Sequence, residues 1–176
     1  DKVRFARSGG EANSIAIRLA RASTKKQNIA FCGYHGWHDW YLSANIKNIK
    51  NLNNHLLKNL KPLGVPKIYK NSAIPLEFNN ISQLHKLSKI QNISAIVVEP
   101  SRMEMLSKSF VREVNKICKE KKILLIVDEI TSGWRDCKGG IYKKIGLNPD
   151  LVIYGKALGN GFAISAVIGK KKVMDI

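Results

Sequence analysis

Ile123-Leu124-Leu125-Ile126-Val127-Asp128-Glu129 and, further along, Leu151-Val152-Ile153-Tyr154-Gly155-Lys156-Ala157 follow one plan. Each is a short apolar run that ends in a charged side chain. Runs of this kind, aliphatic throughout and closed by turn residues, read as strands buried on both faces. Ligands of open α/β sheets bind at the carboxyl ends of such strands. Asp128 with Glu129 and Lys156 therefore stand where a ligand is expected.

Outward from these two runs, strand-like and helix-like segments alternate. Residues 3–7 predict a strand, Ser8-Gly9-Gly10-Glu11 a turn, and Ala12, Ile15, Ala16, Leu19 and Ala20 a helix from about Glu11 to Ser23. Ile29-Ala30-Phe31-Cys32 is a short strand, followed by an aromatic loop or helix start from Tyr34 to Trp40. Residues 45–80 are rich in Asn and Lys and suit a surface excursion with a helix near Leu52–Leu60, broken by Pro62, Gly64 and Pro66. Ile81, Leu84, Leu87 and Ile90 predict another helix, and Ala95-Ile96-Val97-Val98 a buried strand ending at Glu99-Pro100. Phe110, Val111, Val114, Ile117 and Cys118 mark the helix that leads into the strand at 123–127. After Gly139-Gly140 come a short helix to Lys144, the strand at 151–154 and a last strand at 165–169. The sum is an α/β fold: a mostly parallel sheet with helices on both faces.

The 176 residues suit one compact domain or part of a larger one, and 44% apolar content excludes a disordered chain. The sequence opens at Asp1 without an initiator Met or signal pattern and stops at Met174-Asp175-Ile176 inside a new helix, so an internal fragment is expected. No apolar run approaches the roughly 20 residues of a membrane helix. The net charge of +17 raises nucleic acid as a partner. Lysine, however, dominates over arginine and is spread with abundant Asn and Ile, without an aromatic-interleaved stripe, which reads as compositional drift. Cys32, Cys118 and Cys137 form no CxxC pair, so a reducing, cytoplasmic setting is the default.

Four segments carry chemistry, each with a plainer alternative. Ser8-Gly9-Gly10-Glu11-Ala12-Asn13 lies between strand and helix, where glycines admit a ligand and free helix N–H groups attract an anion. It is a phosphate cradle or an ordinary turn. Tyr34-His35-Gly36-Trp37-His38 offers an aromatic plate for a planar cofactor, or interior packing for Trp37 and Trp40. Its two histidines lack the third ligand a catalytic zinc needs, so no metal is expected. Asp128 suits a basic ring nitrogen, whose protonated form an opposing carboxylate favours, or it closes a strand-end turn. Lys156 suits a Schiff base, with partial burial lowering its pKa, or it is one more surface lysine. An amine and a carboxylate at one sheet edge fit pyridoxal phosphate, whose ring is an electron sink. Gly159-Asn160-Gly161 lacks the third glycine of a dinucleotide fingerprint, and Gly155-Lys156-Ala157 lacks the remainder of a P-loop.

Taken in order, Ser8-Gly9-Gly10-Glu11-Ala12, Tyr34-His35-Gly36, Asp128-Glu129-Ile130-Thr131-Ser132-Gly133-Trp134-Arg135 and Gly155-Lys156-Ala157-Leu158-Gly159-Asn160-Gly161 resemble class III PLP-dependent aminotransferases, in the branch of glutamate-1-semialdehyde 2,1-aminomutases. The resemblance runs over nearly the whole chain. It implies the large domain of fold-type I PLP enzymes, with one antiparallel strand in a seven-stranded sheet and residues 1–176 as a partial PLP-binding domain. It implies Lys156 as the Schiff-base lysine, Asp128 facing the pyridine nitrogen, Ile130 and Tyr34 on the two ring faces, and Ser8, Gly9 and Gly10 at the phosphate. His35 and Glu99 fall beside the cofactor. Amino transfer between small-molecule donors and acceptors and a homodimer in the full-length protein follow from the same resemblance. Two positions depart from it: Gly10 stands where the family has Ser or Thr, and Ser101-Arg102-Met103-Glu104 replaces Ala-Gly-Asn after Glu-Pro. The reading from a different class is a non-catalytic basic module that binds nucleic acid.

Overall fold

In chain order the elements are β1 (Lys2–Ala6), α1 (Gly9–Thr24), β2 (Asn28–Cys32), α2 (Asp39–Leu42), β3 (Ala73–Pro75), α3 (Ile81–Leu87), β4 (Ile93–Val98), α4 (Lys108–Lys121), β5 (Leu124–Asp128), α5 (Ile141–Ile145), β6 (Leu151–Tyr154), β7 (Ser165–Gly169) and α6 (Lys171–Met174). They come from a computed structural model that describes residues 1–55 and 57–176. The strands form one seven-stranded sheet in the order β1-β7-β6-β5-β4-β2-β3. β7 runs antiparallel to both of its neighbours, and every other pairing is parallel. The expected mostly parallel sheet, covered on both faces, is the observed one.

Alternation along the central strands sorts side chains between two cores. On the α1 side lie Ile29 and Phe31 of β2, Ala95 and Val97 of β4, Leu124 and Ile126 of β5, and Leu151 and Ile153 of β6. On the α4 side lie Ala30, Cys32, Ile96, Val98, Leu125 and Val127, packed on Phe110, Val111, Val114 and Ile117. The period of two carries past the strand ends. Asp128 thus continues the α1 face after Leu124 and Ile126, Glu99 continues it after Ala95 and Val97, and Glu129 takes the opposite direction. Ala12, Ala16 and Ala20 of α1 are fully buried. Their small side chains bring the helix close to the sheet and set its amino end over the carboxyl edge of the strands.

α1 begins two residues earlier than its apolar periodicity predicts because Ser8 caps it. Ser8 Oγ accepts from Glu11 N (3.3 Å), and Glu11 Oε2 accepts from Ser8 N (3.0 Å), which closes a capping box. The two backbone N–H groups of Arg7 and Ser8 hold the Glu11 carboxyl below its ordinary pKa. Ser8→Ala is expected to cost about 1 kcal/mol, read as a lower urea midpoint with an unchanged slope. An unaltered midpoint would show that the cap carries no stability.

The helix expected near Leu52–Leu60 does not form. The described residues there give a 3-10 turn at Asn53–His55, and Leu56 lies outside them. Asparagine side chains take the backbone groups a helix would need: Asn45 Oδ1 accepts from Leu52 N (3.0 Å), and Asn53 Oδ1 from Asn59 N (2.8 Å). Asn51 Nδ2 donates to Ala44 O (2.7 Å) and Asn45 Nδ2 to Leu60 O (2.7 Å). Such local competition is why asparagine disfavours helix interiors. β3, which the sequence reading did not anticipate, is a three-residue edge strand ending in Pro75, short enough to leave no periodic signal. No helix among the described residues is long and apolar enough to cross a membrane.

Candidate active site

Every sequence-predicted site residue lines one cavity of about 490 Å³ at the carboxyl ends of the parallel strands. Ser8, Gly9 and Gly10 come from the start of α1, Tyr34 and His35 from the loop after β2, Glu99 from the end of β4, Asp128 and Ile130 from the end of β5, and Lys156 from the turn after β6. Because β5 and β6 are adjacent, with Asp128 opposite Ile153, Asp128 and Lys156 open into the same space. A wider cleft of about 870 Å³ lies at the other end of the sheet. Lys26, Lys116, Lys119, Lys121 and Lys122 gather there, less dispersed than the sequence reading expects. Lys26 Nζ is engaged by the carbonyls that end α4 (3.2 and 3.4 Å), and among the described residues the acid lining the cleft, Asp150, is paired with Lys170 (2.8 Å).

Asp128 is 2% exposed. Its Oδ2 accepts from Asn13 Nδ2 (2.9 Å) and pairs with His35 Nδ1 (2.8 Å), and its Oδ1 accepts from Ile130 N (3.1 Å). Asn13 also donates to Gly9 O (3.1 Å), so one amide ties the carboxylate to the first turn of α1. Two buried atoms beside it, Asn13 Oδ1 and His35 Nε2, lack a partner among the described residues. Glu129, adjacent in sequence, points to the other face. Ser132 Oγ and Tyr142 N (2.7 Å) donate to it, and burial pushes its carboxyl up. The acidic pair is thus split into one carboxylate for the cavity and one for the α5 side.

Lys156 departs from expectation in its surroundings. Partial burial was predicted, yet Lys156 is exposed, because it opens a 3-10 turn at the mouth of the cavity and nothing among the described residues packs over it. Its Nζ donates to Thr131 Oγ1 (2.8 Å), which aims the amine inward. Its backbone is left-handed (φ 44°), an uncommon conformation for a residue with a Cβ and one found at functional sites.

Gly9 and Gly10 leave little room for a side chain. A Cβ on Gly9 would meet Ile130 Cδ1 at 2.5 Å, and one on Gly10 would meet the His38 ring at 2.6 Å. Gly36 (φ 101°) faces the same turn, where a Cβ would meet Gly10 Cα at 3.3 Å. The result is a side-chain-free cradle at the amino end of a 16-residue helix, where N–H groups and the helix dipole favour an anion.

Glu99 is 2% exposed and anchors the opposite wall. Its Oε2 accepts from Tyr34 N (2.7 Å) and Arg102 Nε (2.7 Å), and its Oε1 from Arg102 Nη2 (2.5 Å). The Arg102 guanidinium lies 5.4 Å from the Tyr34 ring centroid, and the Glu99 contact raises its pKa. Of the two tryptophans, Trp40 is buried against His35 and Phe31, while Trp37 is 71% exposed at the cavity rim.

Asn13, Arg102, Thr131 and His38 also line the cavity; each falls within a motif quoted from the sequence, His38 as a discarded metal ligand and Arg102 as a departure from the family pattern, but none is assigned there a place at the cofactor. The only available signals were the position of Asn13 one helical turn after Gly9 and the Arg at 102 after Glu-Pro.

The family profile described as Aminotransferase class-III matches residues 1–176. The chain is 42% identical to glutamate-1-semialdehyde 2,1-aminomutase of Nitrosopumilus maritimus over all of the chain and 42% of that protein. It is 36% identical to the enzyme of the same name from Campylobacter hominis, over all of the chain and 39% of that protein. Among solved structures it superposes on an omega-transaminase from Sphaerobacter thermophilus (TM-score 0.84, 29% identity, 99% of this chain and 42% of that one). It also superposes on a transaminase with PLP bound (TM-score 0.82, 25% identity, 99% and 41%). The chain therefore spans about two-fifths of the length of these relatives.

Proposed function

Since the chain belongs to the class-III aminotransferase family, we propose that residues 1–176 are the cofactor-binding part of a PLP-dependent enzyme that moves an amino group, as an aminotransferase or as an intramolecular aminomutase. The observation that carries this reading is a single cavity joining a buried carboxylate, a glycine cradle at a helix start, an aromatic plate and a lysine aimed inward.

The cavity fits pyridoxal phosphate in its chemistry. The cradle of Gly9 and Gly10 offers backbone N–H groups at the amino end of α1, where a phosphate would be held. Asp128 is buried, accepts from Asn13 and pairs with His35, so it is held as an acceptor for a protonated ring nitrogen. Tyr34 and Ile130 supply a flat face and an aliphatic face, and Ser8, already committed as the cap of α1, keeps the cradle in place. The bound cofactor supplies an electron sink for the bond broken at the substrate Cα.

This chain's residues then act as follows. Lys156 Nζ would hold the cofactor covalently, and the same amine would carry the proton taken from the substrate Cα. Thr131 Oγ1 orients that amine at 2.8 Å. Asp128, braced by Asn13 and His35, would face the ring nitrogen and favour its protonated form. Glu99 and Arg102 fix the Tyr34 side of the cavity. Small-molecule amino donors and acceptors, a homodimer and a cytoplasmic setting complete the proposal; the three free cysteines suit a reducing compartment.

The test is chemical trapping. The intact protein is loaded with pyridoxal phosphate, reduced with borohydride and digested. The pyridoxyl label is expected on the peptide that contains Lys156. A label on any other lysine, or none, overturns the assignment.

A further inference from the structure

We infer that His38 is a ligand of the cofactor's phosphate, taking the place that a side chain at position 10 would otherwise fill. The inference rests on the PLP reading above and concerns residues of this chain alone. A Cβ built on Gly10 would lie 2.6 Å from His38 Cδ2 and 2.7 Å from Nε2, so that edge of the imidazole already occupies the space a residue-10 side chain would need. Gly10 and His38 line the same cavity, beside the amino end of α1.

Ser14, one turn further along α1, holds the ring: its Oγ is 3.2 Å from His38 Nδ1. When that hydroxyl donates to Nδ1, the proton of the neutral ring sits on Nε2, the nitrogen that borders the cradle. His38 Nε2 has no hydrogen-bond partner among the described residues. A donor held in place by a second side chain, next to free helix N–H groups, has the arrangement of a phosphate site. Gly36 lies close by, where an added Cβ would meet Gly10 Cα at 3.3 Å, so the loop carrying His38 runs near the start of α1.

The two positions therefore constrain each other. A hydroxyl residue at 10 and an imidazole at 38 compete for one volume, and this chain has the glycine-plus-histidine solution. Ser at position 10 collides with His38, whereas the same serine fits once the imidazole is gone.

The experiment measures binding to the intact apo-protein by equilibrium dialysis, for pyridoxal phosphate and for pyridoxal, which lacks the phosphate. Removing a hydrogen bond to a charged group weakens binding substantially, so His38→Ala is expected to lower the preference for the phosphorylated ligand about tenfold or more. Gly10→Ser alone is expected to weaken pyridoxal phosphate binding, and the double variant Gly10→Ser with His38→Ala to restore most of the lost preference. If the wild type prefers pyridoxal phosphate and His38→Ala keeps that preference in full, the inference is overturned. If the serine impairs binding equally with and without His38, the claim of a shared volume falls. Should His38→Ala not fold, His38→Gln retains a donor near the same place and is expected to keep the preference within a few-fold; its complete loss counts against the inference. A wild type that binds neither ligand defeats the PLP reading itself.

Discussion

Lys156→Ala in the intact protein is expected to eliminate the borohydride-stable link to pyridoxal phosphate while leaving the cofactor bound through its phosphate and ring. Turnover is expected to fall on the order of 10⁴-fold, the upper range for loss of a general acid–base group. In the proposed reading Lys156 serves two steps, attachment and proton transfer, so added primary amines should recover the proton step in part and the attachment not at all. The measurements are single-turnover rates and the visible spectrum before and after reduction. Wild-type turnover in the alanine variant would remove Lys156 from the chemistry. The left-handed backbone at this residue (φ 44°) makes the position unsuited to β-branched replacements, so alanine gives the cleaner comparison.

Asp128→Asn is the second large effect. The change keeps the size of the side chain and removes its charge, in a site where Asn13 and His35 are already turned toward it. Loss of a preorganised electrostatic partner costs on the order of 10²–10³ in turnover, and cofactor affinity is expected to fall with it. Glu129→Gln is the matched control. That carboxyl faces the other side of the sheet, is bonded by Ser132 and Tyr142 N, and has its pKa raised by burial, so its replacement is expected to change stability more than rate. The opposite outcome, with Glu129→Gln nearly inactive and Asp128→Asn nearly unaffected, would exchange the roles of the two acids. Rates per bound cofactor, set beside melting temperatures, separate the cases.

Much of this architecture was legible in sequence, for identifiable reasons. β4, β5 and β6 are continuous aliphatic runs because both faces are covered, and the period of two then fixes which of Asp128 and Glu129 faces α1. The helix over 110–118 is legible because its apolar stripe repeats at helical spacing. Residues 45–80 were opaque because their folding is written in asparagine side chains bonding backbone groups several positions away, a pattern without a period. The bracing of Asp128 by Asn13 and His35 joins positions far apart in the chain, so spacing carries no trace of it. Arg102 was legible as a departure from the family pattern, while its partner Glu99 and its place over Tyr34 required three-dimensional coordinates.

The pairing of β1 with β7 has a consequence for assembly in time. Lys2–Ala6 is made well over a hundred residues before its sheet neighbour Ser165–Gly169. At synthesis rates of roughly 5–20 residues per second, the opening strand waits on the order of ten seconds for its partner to leave the ribosome. Ser165 Oγ, at the start of that late strand, also donates to Ser8 O (2.8 Å). The loop that caps α1 is thus fastened by a residue translated long after it, and a nascent chain lacking that segment has most of its helices and central strands encoded before the latch beside the cavity exists.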